Sequence, residues 1–130
     1  MTNDITLTKI KIDLGNKMLK HLEGMTERSY EDTMCRYRGP NGNMCAVGCL
    51  IPDEDYKTLI EGYPATQFFV LDRIPELKGL TEQDMEEVGE FLRRWQDEHD
   101  YSRNWTDTGM DKSVLDGLQV EIKELEVTQK

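Results

Sequence analysis

The sequence predicts a mostly helical α+β domain in which a small β-hairpin packs against several helices. Apolar residues recur at steps of three and four near both ends of the chain, which predicts amphipathic helices. The turn sequence Gly39-Pro40-Asn41-Gly42 lies between two segments that can extend, which predicts the hairpin. Because 130 residues fit one core of ordinary size, we expect a single domain, residues 1–130.

The composition is strongly acidic. Sixteen basic and 26 acidic side chains give a net charge of −10, which repels the phosphate backbone of nucleic acids. We therefore expect no direct nucleic-acid binding. An acidic surface can bind a basic protein surface, including one that holds DNA, but it also keeps a small protein soluble. Both interpretations stay open at this point.

No apolar run approaches the roughly 20 residues that cross a bilayer, and charges interrupt the first 25 residues where a signal peptide needs an apolar block. We expect no membrane contact and a cytoplasmic protein.

The three cysteines are an odd number, so we expect free thiols rather than a disulfide framework.

The first helix is predicted from about Thr6 to Gly24, although the alternation at its start also suits a strand. After a polar connection over residues 25–33, Cys35–Arg38 can extend into the predicted turn. The return segment Met44–Ile51 is apolar throughout, so it is either a buried strand or a buried helical turn.

Pro52 and the three carboxylates after it predict a helix start, with Tyr56, Leu59 and Ile60 facing inward. A short apolar element is predicted within Thr66–Ile74, between proline and glycine breaks.

Two long helices are predicted to close the core. The first runs from Thr81, its cap, to about His99. The second runs from about Asp111 to Val127, with Asp111 or Ser113 as its cap. Their predicted inward residues are Met85, Val88, Leu92, Trp95 and His99 in the first, and Val114, Leu115, Leu118, Ile122 and Leu125 in the second.

The cysteines are the first candidates for chemistry. Cys45 and Cys49 are four residues apart and would share a helix face, and the hairpin would bring Cys35 near them. Three thiolates with His99 or His21 suit a tetrahedral zinc site, but structural zinc sites use two close ligand pairs and this chain has one. Because the cysteines lie among small apolar residues, we expect buried thiols, no metal and no cofactor.

His99 ends the apolar side of its helix, where a packed or capping histidine is expected. A nucleophilic cysteine would need such a ring nearby, and an orienting group of the type that Asp100 provides. One function hypothesis is therefore a pocket for a nucleotide-like small molecule, with Arg38 on a phosphate, or a cysteine-dependent hydrolase. The candidate residues of this pocket are Tyr37, Arg38, Cys45, Cys49, His99 and Trp105.

The same helix carries an acidic face. Glu82, Glu86 and Glu90 are successive i,i+4 neighbours, and each like-charge pair costs a helix about 0.2–0.5 kcal/mol. A tolerated cost of this kind suits a partner-binding surface as well as a solvated outer face. Arg94 is the expected partner of Glu90. The candidate partner-binding residues are Glu82, Glu86, Glu87 and Glu90.

A long motif covers Cys35–Gly42 and Met44–Asp53, reading C-R-Y-R-G-P-N-G and M-C-A-V-G-C-L-I-P-D. With it, the chain resembles a family of small uncharacterised proteins from phages and bacterial genomes. The similarity resumes at Leu92, Gln96, His99, Asp100 and Trp105. The resemblance implies a phage or prophage origin and places His99 and Trp105 near the Gly39–Pro40 turn. It implies no activity, cofactor or catalytic residue.

These observations favour a phage accessory protein that acts by binding a host or defence protein through its acidic face, without chemistry of its own. It would work in the cytoplasm of the host cell. The pocket hypothesis around Cys45, Cys49 and His99 is the alternative. Homo-oligomerisation stays open.

Overall fold

The computed structural model describes residues 4–31 and 34–128, and within these ranges the chain forms four α-helices and two antiparallel hairpins. The helices are α1 (Asp4–Gly24), α2 (Phe68–Leu71), α3 (Glu82–Asp100) and α4 (Lys112–Thr128). The strands are β1 (Tyr30–Glu31), β2 (Met34–Cys35), β3 (Trp105–Thr106) and β4 (Gly109–Met110). The predicted mostly helical α+β fold is confirmed.

Helix α1 carries the predicted apolar face and begins slightly earlier than predicted. Leu14, Met18 and Leu22 are fully buried, and the helix packs mainly along α4. Gly15 permits the close approach, because a Cβ at this position would lie 3.2 Å from a side-chain carbon of Ile122 in α4. The contact between these two helices forms one side of the core.

Helix α3 also follows its predicted pattern. Its cap is Thr81, whose hydroxyl oxygen accepts a hydrogen bond from the Asp84 amide at 3.2 Å. Val88, Leu92 and Trp95 are fully buried. The helix therefore crosses the centre of the core and carries the acidic face on its outer side.

Helix α4 starts at the predicted cap. The Asp111 carboxylate accepts hydrogen bonds from the Ser113 hydroxyl at 2.6 Å and from the Ser113 amide at 2.8 Å, and these bonds lower the pKa of Asp111. Leu118 and Ile122 are buried as predicted, and Leu125 is half-buried.

The predicted hairpin is displaced along the chain. Where strands were predicted on both sides of the Gly39–Gly42 turn, the described residues form a single antiparallel bridge between Arg38 and Met44. Strand β2 pairs instead with β1, and the Arg36 amide continues this pairing by donating to the Ser29 carbonyl at 2.9 Å. Strand β1 lies in the segment predicted to be a polar connection, and Asp32 and Thr33 between the strands lie outside the described residues.

The Asn-Gly turn itself has the expected backbone. Asn41 and Gly42 both have positive φ angles, 61° and 76°, and the Gly39 amide closes the turn on the Asn43 carbonyl at 2.8 Å. The turn is confirmed, and the pairing across it is limited to the Arg38–Met44 bridge because the return segment takes the second of its two predicted forms, a buried helical turn at Gly48–Leu50.

The middle of the chain consists of short turns. The apolar return segment resolves to a buried 3₁₀ turn at Gly48–Leu50. The helix predicted after Pro52 is a single 3₁₀ turn at Asp53–Asp55, since Tyr56 takes an extended backbone. The prediction that Leu59 faces inward is wrong: this side chain is 59% exposed.

Two further short elements complete the chain. The element predicted within Thr66–Ile74 is α2, and Val70 and Leu71 of α2 are fully buried. The second hairpin, β3 with β4, was not predicted. The sequence feature that marks this hairpin is Gly109. Its φ of 145° and its close approach to the Met25 carbonyl require a residue without a side chain.

Candidate functional site

His99 lies at the C-terminal end of α3 and is fully buried. Its Nε2 accepts a hydrogen bond from the Ser29 amide at 3.1 Å, and its Nδ1 lies 2.8 Å from a carboxylate oxygen of Asp100. Because an amide N–H can only donate, the proton of the neutral ring resides on Nδ1 and is donated to Asp100. Both ring nitrogens of His99 are therefore engaged inside the protein.

Trp105 completes this cluster from the second hairpin. Its indole N–H donates to the His99 carbonyl at 2.7 Å, and the two rings meet edge to face with centroids 5.5 Å apart. The resemblance placed both residues near the Gly39–Pro40 turn. Gly39 packs on Ser29, the residue that donates to His99, so this turn is linked to His99 through Ser29.

Gln96 connects the same cluster to the motif segment. Its side-chain oxygen accepts a hydrogen bond from the Val47 amide at 3.0 Å, and its amide nitrogen donates to the Asp100 carboxylate at 2.6 Å. The motif segment and the end of α3 are thus one hydrogen-bonded unit. Sequence reasoning gave no role to Gln96 or Ser29, whose partners lie 49 and 70 residues away along the chain.

Cys35 adjoins this unit at the surface. One ligand atom each of Cys35, His99 and Asp100 lie within 4.8 Å of one another. Burial and the neighbouring Asp100 charge raise the pKa of the Cys35 thiol to about 12. A protonated thiol is a poor nucleophile, and the Nε2 lone pair of His99 that could accept its proton is occupied by the Ser29 amide.

The same trio has the residue types of a zinc site, but its hydrogen bonds do not suit one. A metal ligand needs a free lone pair on a ring nitrogen, whereas the Nε2 lone pair of His99 accepts the Ser29 amide and Nδ1 carries the ring proton. Among the described residues, Cys35, His99 and Asp100 form the group whose ligand atoms are close enough to share a metal ion. The other two cysteines of the zinc hypothesis, Cys45 and Cys49, are not part of this group. We interpret His99 as a residue that holds α3 to the segment before β1.

The structure places the six predicted pocket residues in different surroundings. Cys45 is fully buried, with its sulfur accepting a hydrogen bond from the Gly48 amide at 3.2 Å. Cys49 is half-buried. It lines a cleft of about 630 Å³ together with Lys17 and the end of α1. Tyr37 is 6% exposed and donates its hydroxyl hydrogen to the Tyr63 carbonyl at 2.6 Å.

Arg38 is bound from within the chain through its two terminal guanidinium nitrogens, while its buried Nε has no hydrogen-bond partner among the described residues. Its guanidinium pairs with the Asp53 carboxylate and donates to the Ile51 carbonyl, both at 2.6 Å, and it lies 5.1 Å from the centre of the Tyr56 ring. A phosphate at Arg38 would have to displace Asp53.

A cleft of about 480 Å³ lies beside Cys35. Its walls are β2 with Arg36 and Tyr37, the segment Gly62–Ala65, and the side of α3 that carries Arg93 and Asp97. Cys35 and Asp100 both line this cleft, so a small polar molecule bound in it would contact them. Neither Cys45 nor Cys49 lines it.

The acidic face, which consists of Glu82, Glu86, Glu87 and Glu90, is exposed over its whole length. Glu87 pairs with Lys11 of α1 at 2.8 Å, so it also ties two helices together. Glu90 pairs with Arg93 at 3.0 Å. The predicted pairing of Glu90 with Arg94 is wrong, because Arg94 turns to Glu121 of α4 at 2.6 Å. Glu82 and Glu86 have no ion-pair partner within residues 4–31 and 34–128.

No protein-family model matches this chain, and no curated protein or solved structure is significantly similar to it. None of the described helices has the length and apolar character needed to cross a membrane.

The thiols should be nearly inert in the folded protein. Burial raises the pKa of Cys35 and Cys49 to about 12 and that of Cys45 well above its usual value of 9.0. A pKa of 12 against 9.0 corresponds to about a thousandfold less thiolate at neutral pH. We expect iodoacetamide at about pH 8 to label the native protein far more slowly than the unfolded chain, with fully buried Cys45 the slowest. Mass spectrometry of timed samples measures this.

The pH dependence of stability has a defined sign. Since the folded thiols hold their protons more tightly than the unfolded ones, their contribution to the free energy of unfolding is complete below about pH 9 and is lost as the pH rises towards 12. Native labelling of Cys35 as fast as in the unfolded chain would contradict this account and show an accessible thiol with an ordinary pKa.

Proposed function

We propose that this chain is a phage accessory protein that binds a host or defence protein through the acidic face and performs no chemistry of its own. Its site of action is the cytoplasm of the host cell. The phage origin rests on the resemblance carried by the Cys35–Asp53 motif. The binding role rests on the acidic face.

One observation carries the binding role: Glu82 and Glu86 are exposed, adjacent on α3 and without an internal cation among the described residues. The helix accepts about 0.2–0.5 kcal/mol for each like-charge pair and gains no compensating ion pair at these two positions. A basic surface on a partner would supply the missing cations. It would also accelerate association, because the net charge of −10 steers cations towards the protein.

The test is a triple substitution, Glu82→Gln, Glu86→Gln and Glu90→Gln, in a tagged protein used to capture partners from a bacterial host lysate. We expect the captured partner to be lost, while the free energy of unfolding changes by less than about 0.5 kcal/mol, because the loss of the Glu90–Arg93 pair offsets the loss of the like-charge pairs. The matched control changes three exposed carboxylates elsewhere, Glu23, Glu124 and Glu126, to Gln and should retain the partner. Equal capture by all three proteins would refute the binding role.

The alternative is a small-molecule binder or a cysteine-dependent hydrolase. Its best location is the cleft beside Cys35, since Cys45 and His99 are fully buried. The raised thiol pKa values weigh against the hydrolase. Alkylation of Cys35 in the native protein faster than in the unfolded chain is the result that would favour the hydrolase over the binding role.

A further inference from the structure

A second cleft lies directly beside the acidic face, between the start of α2 and the middle of α3. Its volume is about 480 Å³. It is lined by Thr66, Gln67, Phe68, Phe69, Glu86 and Glu90. It therefore combines two aromatic rings with two carboxylates of the acidic face. Any role of this cleft in partner binding rests on the proposed function.

Gly89 allows the segment before α2 to pack closely against α3. A Cβ at Gly89 would lie 3.2 Å from a methyl carbon of Leu71 and 3.5 Å from the Thr66 Cα, so the chain before α2 lies directly on α3. Glu86 and Glu90, one turn apart on α3, lie on either side of Gly89 in sequence, and both line the cleft. The close packing thus brings their carboxylates beside the rings.

The rings are half-buried and at least one is held in place. Phe69 meets Tyr63 edge to face, with centroids 5.0 Å apart and an angle of 80° between the rings. The face of an aromatic ring carries partial negative charge. Rings next to carboxylates therefore favour a cation that also has an apolar, flat surface.

Arginine meets this requirement better than lysine. Its guanidinium is planar, weakly hydrated, able to stack on a ring and able to pair with carboxylates through several N–H groups at once. The chain itself uses this combination elsewhere, where Arg38 lies over the Tyr56 ring and pairs with Asp53. Glu90 also already accepts two hydrogen bonds from the guanidinium of Arg93, at 3.0 and 3.2 Å.

We infer that the cleft binds an arginine side chain presented by a basic segment of the partner protein, with the guanidinium against the Phe68 and Phe69 rings and paired with Glu86 and Glu90. The internal pair between Arg93 and Glu90 then competes with the partner. Arg93 keeps a second acceptor, Asp97 at 3.4 Å, when Glu90 is taken.

The experiment uses blocked tripeptides, Gly-Arg-Gly, Gly-Lys-Gly and Gly-Leu-Gly, titrated into the 130-residue protein at low salt and followed by amide NMR shifts. We expect the arginine peptide to shift residues of the cleft and to bind about two- to fivefold more tightly than the lysine peptide. The leucine peptide should cause no shift there. Phe68→Leu, which keeps an apolar side chain and removes one of the two rings, should reduce the preference for arginine.

Arg93→Gln tests the competition, with Arg103→Gln as its control because Arg103 is exposed and the change in net charge is identical. Freeing Glu90 should strengthen binding of the arginine peptide by about two- to threefold relative to the control. Equal binding of the arginine and lysine peptides, shifts spread over all acidic surfaces, or equal affinity of the two glutamine variants would each overturn the inference.

These failures are distinguishable from failure of the proposed function. If the arginine preference is absent while the triple glutamine variant still loses its partner, the acidic face binds by charge alone and the cleft has no role. If the cleft prefers arginine while that triple variant still captures the partner, the cleft binds arginine but the acidic face does not bind the partner, and the proposed function is wrong.

Discussion

Replacing Gly48 by alanine is expected to lower the free energy of unfolding by about 3 kcal/mol or more. Gly48 is buried and begins the 3₁₀ turn that follows Cys45. A Cβ on this residue would lie 2.9 Å from the carbonyl carbon and 3.1 Å from the Cα of Tyr37, and closer still to the Tyr37 oxygen. Since these are backbone atoms, no side-chain rotation relieves the overlap. Two segments of the motif would have to separate.

Gly117 provides the control for this substitution. It lies in α4 with open space around it, so alanine there should stabilise the helix by up to about 1 kcal/mol. Urea unfolding of the three proteins measures both effects. A Gly48→Ala protein as stable as the parent would show that the Tyr37 and Gly48 backbones do not touch.

The long helices could be predicted because their information is local. A period of three to four residues, a Thr81 cap and an Asp111 cap are sufficient to define α3 and α4 to within about a residue. The acidic face was predictable for the same reason, since i,i+4 spacing follows from the helix itself. The cleft beside it was not, because it depends on how closely Gly89 lets another segment approach.

The segment between α1 and α2 could not be predicted in the same way because its backbone groups find partners far away in sequence. The Asn-Gly turn was visible, but nothing local shows that β2 pairs backwards with β1 or that the Ser29 amide ends on His99. Glu61 is the clearest case. Its three donors lie 23, 24 and 5 residues away, and the charge of one glutamate among many gives no signal.

Glu61→Gln is expected to cost about 2–4 kcal/mol of unfolding free energy. One carboxylate oxygen of Glu61 accepts the Tyr37 amide at 2.9 Å, and the other accepts the Arg38 amide at 3.0 Å and the Tyr56 hydroxyl at 2.7 Å. Glutamine keeps the shape but turns one of these acceptors into an N–H₂ group, which then faces a backbone N–H. Glu54→Gln, at an exposed position, is the matched control and should change stability by less than about 0.5 kcal/mol.

A double-mutant cycle with Tyr56→Phe separates this contact from general loss of charge. Because the Tyr56 hydroxyl donates to the same carboxylate, the two substitutions should be less than additive, with a coupling of about 0.5–3 kcal/mol. Additive effects would mean that Tyr56 does not bind Glu61 in solution. A small effect of Glu61→Gln would mean that water satisfies the Tyr37 and Arg38 amides, and among these bonds the one from Gln96 to the Val47 amide would then hold the motif segment to the rest of the fold. The size of the Glu61 effect therefore decides whether the motif is anchored to α3 alone or also to Glu61, in the segment that precedes α2.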